Sequence, residues 1–132
     1  MANTIQPDRQ TVEQCLKNKT YYVDFYQREY VWNEETVLTL LTDIFDVFEQ
    51  SYLSCGDADL TPTTMDKNFS WYYLNVFITN KIDSKNFIVD GQQRLSTLTL
   101  ICTKLYHLTK NQDLKDLLVP CICGKNWTEN VY

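Results

Sequence analysis

The chain has 132 residues, 44% hydrophobic and 22% charged, with 17 acidic against 12 basic side chains and a net charge of -5. That length and mix describe one globular domain able to bury a core, and they exclude a disordered polymer. The acidic balance excludes a broad non-specific nucleic-acid surface, which works by neutralising phosphates with lysine and arginine, but leaves room for a small local phosphate site.

Five scattered cysteines, no apolar signal core in "MANTIQPDRQ" and no run of membrane-spanning length predict a cytoplasmic domain with reduced thiols. Thr11-Val12-Glu13-Gln14 has the form of a capping box opening a short helix to about residue 17. The stretch "TYYVDFY", 20–26, alternates strand-forming residues, so a strand is expected there. Asn33 is a good N-cap for a helix over about 34–52, with Glu34 and Glu35 in its first turn complementing the dipole. Val37, Leu38, Leu41, Ile44, Phe45 and Phe48 recur at helical steps and predict a broad core face.

Residues 56–67 are expected to form a polar loop. "FSWYYLNVFIT", 69–79, and "NFIVD", 86–90, predict two strands of a hairpin joined by "NKIDSK". After Gly91 the apolar period becomes helical, with Leu95, Leu98, Ile101, Cys102, Leu105 and Leu108 in one stripe. The segment 111–132 is expected to be a peripheral, incomplete tail with a short helix broken at Pro120.

The polar "DGQQR" between the last strand and this helix has its own chemistry. The first helical amides lack internal acceptors and carry the positive end of the dipole. Gly91 permits a tight turn and close backbone approach. Arg94, one turn in, offers a forked cationic donor suited to phosphate oxygens, and Gln92 and Gln93 add neutral donors and acceptors. These are the ingredients of an anion site; the plainer reading is Asp90 as an N-cap and Arg94 as a solvated side chain.

Only three arginines occur, and Arg28 lies in a second polar stretch, "YQREYVW". Residues 21–32 hold six aromatics, Tyr21, Tyr22, Phe25, Tyr26, Tyr30 and Trp32. Tyr21 and Phe25 read as core; Tyr30 and Trp32, beyond the strand, are equally suited to core packing or to holding a nucleobase.

The pair "YQREYVW" and "VDGQQRLSTL", in that order and separated by a helix and a hairpin, resembles the N-terminal domain of GmrSD-type restriction proteins, over about residues 11–110. The resemblance implies an α+β fold with a ParB/sulfiredoxin-like core, a small mixed sheet and a hairpin packed against helices. It implies a nucleotide-binding, NTP-hydrolysing domain of a bacterial phage-defence system acting on modified foreign DNA. The cutting domain, with an HNH-type histidine-metal site, is then expected C-terminally or on a separate chain, so these residues read as a single domain, either an N-terminal fragment or a short gene product that works with a partner. The family's first motif maps onto Tyr26, Gln27, Arg28, Tyr30 and Trp32, and its second onto Asp90, Gly91, Gln92, Gln93 and Arg94. Two departures stand out: Phe25 replaces a usual proline, and Asn75 stands where the family favours glycine, a change that would narrow the implied pocket.

On this reading phosphates lie at the amides of Gly91 to Gln93, Arg94 and Arg28 supply charge, Asp90 holds magnesium, and Gln92 or Gln93 orients water. The alternative is a non-catalytic regulatory module that binds nucleotide or a DNA phosphate and controls a partner nuclease. No Walker-type GxxxxGK[ST] exists, which excludes a P-loop mechanism. Sulfiredoxin-like redox chemistry would need a cysteine at the helix start, and none is there. Cys121-Ile122-Cys123 with the single His107 lacks a fourth ligand and the usual spacing for zinc, so two buried thiols are expected instead. Asp57, Asp59 and Asp66 lack the frame of a calcium loop.

Overall fold

A computed structural model describes residues 5–56 and 60–123. Its elements, α1 (Val12–Leu16), β1 (Tyr21–Tyr22), α2 (Glu34–Ser54), α3 (Pro62–Asn68), β2 (Ile78–Ile82), β3 (Lys85–Asp90), α4 (Gln92–Leu108) and α5 (Gln112–Ile122), make an α+β fold, as expected. The chain divides into two compact units, one formed by 1–30 with 77–132, the other by 31–76.

In the first unit, Thr11 opens α1 with the anticipated capping box: its side chain accepts from the Gln14 amide while Gln14 Oε1 accepts from the Thr11 amide. The sheet is mixed, ordered β1-β3-β2, with β1 parallel and β2 antiparallel to β3. The β2–β3 hairpin turns on Asp83 and Ser84, both at positive φ (48° and 67°), the mirror-image turn whose twist matches the flanking strands. Cys15, Leu16, Ile88, Leu95, Leu98, Cys102 and Leu118 form the core.

β1 stops at Tyr22 rather than running to residue 26. Asp24 turns the chain instead: its carboxylate accepts from the Phe25 amide at 2.7 Å, and its carbonyl accepts from the Gln27 amide at 3.0 Å. Phe25 is consequently 96% exposed and not a core residue, whereas Tyr21 is half-buried, edge-on to Phe77, with its hydroxyl donating to the Cys15 carbonyl.

The ladder of β2 likewise begins only at Ile78, not 69. Asn75 takes a left-handed conformation (φ 76°) and its own carboxamide oxygen accepts from the Val76 amide, which breaks the extended run. The apolar stripe of α4 is buried at Leu95, Leu98 and Cys102 but emerges at Leu105 and Leu108. α5 runs through Pro120 instead of breaking there. It packs on α4 and α1, contributes Leu118 to the core rather than lying at the periphery, and gives its Pro120 carbonyl to the Asn18 amide at 2.8 Å. That bond satisfies a carbonyl near the helix end, where partners are lacking. Cys121 and Cys123 are half-buried, not fully buried thiols.

The second unit is helical. Asn33 caps α2 by accepting from the Thr36 amide, as the sequence predicts. None of the six apolar residues expected to form its core face is fully buried, and Leu38 and Phe45 are largely exposed. Ser51 is the buried residue of this helix, donating to the Val47 carbonyl and accepting from the Ser70 amide. Phe48 meets Phe69 edge-on, and Tyr72 donates to Asp43. Part of the expected loop is α3, signalled by Thr61 as N-cap and Pro62 at the first helical position; Asp66 lies in it, while Asp57 and Asp59 fall outside the described residues.

Candidate functional site

β3 ends at Asp90 and α4 begins at Gln92, so a single residue makes the junction. That residue, Gly91, is the N-cap, with φ 91° and ψ 11° and no side chain to bond the first amides. Asp90 is therefore the exposed last residue of the strand and not the cap. A side chain at position 91 would meet the steric penalty of the left-handed region, which explains the glycine. Gly91 therefore supplies no side-chain cap to the first turn of α4, the helix end that carries the positive pole of the dipole.

The turn at Asp24 returns the first motif to this junction. Gln27 Nε2 donates to the carbonyls of Ile88 and Val89, both at 3.2 Å. In the opposite direction, Gln93 Nε2 donates to the Glu29 carbonyl at 2.9 Å. Tyr30 adds a third tie, its hydroxyl lying 2.8 Å from Thr97 Oγ1. Arg28, exposed, sits between two of these anchored residues, so its backbone is bracketed at both sides. Gln92 and Arg94 are half-buried in the first turn of α4.

The other first-motif aromatics lie differently. Tyr26 is exposed and meets Phe25 edge-on, with ring centroids 5.9 Å apart. Trp32 is half-buried at the beginning of the second unit. Thr97, which no motif reading singled out, is 1% exposed and ties both segments. Its signal in the sequence is positional: it stands four residues after Gln93 and so shares that residue's helical face.

Asp90 is the carboxylate available at the junction, and no group of three or more potential metal ligands occurs among the described residues. One exposed carboxylate fits the way magnesium is held when substrate phosphates and water supply the remaining oxygens. It does not suit a cage built from protein alone. Burial pushes the thiols of Cys15, Cys102 and Cys121 above their ordinary values, keeping each protonated at neutral pH.

These features define an α+β domain whose two polar motifs are hydrogen-bonded at a strand-to-helix junction. Residues 12–129 match the model of the GmrSD restriction endonuclease, N-terminal domain, and the chain belongs to that family. It is thus a restriction-system domain. No curated protein and no solved structure matched it. No helix of the described residues is long and apolar enough to cross a membrane.

Proposed function

We propose that this domain binds a nucleoside triphosphate, with magnesium, at the DGQQR junction and serves a cytoplasmic phage-defence restriction system directed at modified DNA. The supporting observation is the convergence of motifs: Gln27 fastens the segment bearing Arg28 and Tyr30 to the end of β3, and Gln93 fastens it to the start of α4. Backbone amides from Gly91 to Gln93 take the phosphates, while Arg94 and Arg28 supply charge and forked donors. Asp90 offers the protein oxygen for the ion. Tyr26 and Tyr30, in the same unit as the junction, are the aromatic candidates for the base.

For hydrolysis, Gln92 orients the attacking water. The water oxygen bonds to the γ-phosphorus as the bond to the bridging oxygen breaks, giving a nucleoside diphosphate and inorganic phosphate with release of a proton. The nuclease partner is an HNH-type domain, on the same polypeptide or another, and DNA joins in that assembly.

One observation favours the non-catalytic alternative, in which nucleotide or a DNA phosphate is sensed without turnover. Gln93 is engaged by the Glu29 carbonyl, so only Gln92 of the glutamine pair is left without a strap among the described residues.

Titration calorimetry with ATP, GTP, CTP and UTP, each with magnesium, tests the proposal against Arg94→Ala. Saturable binding by the parent that is lost in the variant supports it; no binding by the folded parent overturns it. Binding without phosphate release selects the regulatory alternative.

A further inference from the structure

The hydroxyl of Thr97 donates to the Gln93 carbonyl at 2.8 Å, and a carbonyl only accepts. The single hydroxyl proton is thereby used, so in the 2.8 Å contact with Tyr30 the tyrosine must be the donor. Tyr30 is therefore fixed at its outer end by a buried acceptor, while 42% of the residue stays exposed. The backbone on its N-terminal side is fixed as well, through the Glu29 carbonyl and Gln93.

A partly exposed ring held at both ends is preorganised for stacking, because its rotamer entropy has already been lost before a ligand arrives. Every nucleobase has a face that stacks on such a ring. Resting on the nucleotide reading above, we infer that Thr97 is a positioning residue that holds Tyr30 as the base-stacking platform of the site. Thr97 touches no ligand and acts only through the tyrosine. It lies one helical turn beyond Gln93, so the same hydrogen-bonded chain links the platform to the turn that receives the phosphates.

The inference separates a hydroxyl effect from a packing effect. Thr97→Val keeps shape and volume but removes the acceptor; Tyr30→Phe keeps the ring but removes the donor; Thr97→Ser restores the acceptor. Loss of one net hydrogen bond corresponds to about a two- to tenfold change in an equilibrium constant. Calorimetry with each triphosphate and magnesium should show Thr97→Val and Tyr30→Phe weakened by similar factors in that range. The double variant should be no weaker than either single one, and Thr97→Ser should bind like the parent. Tyr30→Ala, which removes the platform itself, should lose more than Tyr30→Phe. Thermal melts of all variants verify that each is folded.

Parent-like binding by folded Thr97→Val, alongside loss in Arg94→Ala, overturns this inference and leaves the nucleotide reading standing. Additive losses in the double variant also overturn it, because the two groups would then act separately. No binding by the parent chain overturns both.

Discussion

Gln93 donates its side-chain amide to the backbone carbonyl of Glu29, 2.9 Å away, across 64 positions of sequence. The second glutamine of the junction is a strap between the two motifs, and the first makes no such bond among the described residues. Gln93→Ala should lower stability by about 1 kcal/mol, the net worth of such a bond. Gln92→Ala, which removes no such bond among the described residues, should cost clearly less than Gln93→Ala. Urea denaturation of both variants checks this, and equal losses would refute the division of roles. If the domain hydrolyses nucleotide, phosphate release should instead be the quantity that Gln92→Ala lowers.

Gly91 occupies the left-handed region at φ 91°, where a β-carbon is penalised. Gly91→Ala should cost about 1–2 kcal/mol and lower the melting temperature by several degrees. Asn, which tolerates this region better, should cost less at the same position. An unchanged melting temperature for Gly91→Ala would show that the junction relaxes freely.

The hairpin turn is built from two residues that its backbone does not favour. Asp83 and Ser84 both have positive φ, a requirement best met by Asn-Gly. The paired replacement Asp83→Asn with Ser84→Gly should raise stability by roughly 0.5–1 kcal/mol, read as a higher urea midpoint at unchanged slope.

Stability should also fall on the alkaline side. Burial raises the Cys102 thiol above its ordinary 9.0, and burial likewise raises Cys15. Below about pH 9 both states keep these protons, so the contribution is complete and constant. As pH climbs past 9 the unfolded chain ionises first, and the contribution is lost through the folded-state values. Melting curves from pH 7 to 10.5 should show a plateau followed by decline, and Cys102→Ser should make the decline shallower.

Much of this architecture was legible because local chemistry dictated it. Thr11 with Gln14, Asn33 with Thr36, and the change of period after Gly91 are determined within a few residues, and each appears where expected. The misplaced strands share one cause. In 20–26 and 69–79 the alternation was real, but Asp24 and Asn75 each hydrogen-bond to the next amide and turn the backbone. Alternation states which residues favour extension; it does not state where a polar side chain will overrule it. α5 survives Pro120 because packing at Leu118 and the bond from Asn18 offset the missing amide. Asn75 also explains itself: its φ of 76° lies in the region glycine favours, so it can meet the same backbone demand. At the junction the residue types pointed to the right segments, but the division between Gln92 and Gln93, and the part of Thr97, depended on partners more than 60 positions away.

The first unit is discontinuous along the chain, with residues 31–76 between its two parts. On a ribosome, synthesis therefore runs counter to closure. The helical unit has all its residues once position 76 has emerged. β1 must wait for β3, and Asn18 for Pro120, which lies near the end of the described chain. Until then Cys15 and Leu16 lack their cover, so between the emergence of residues 22 and 120 these side chains stay exposed on the nascent chain.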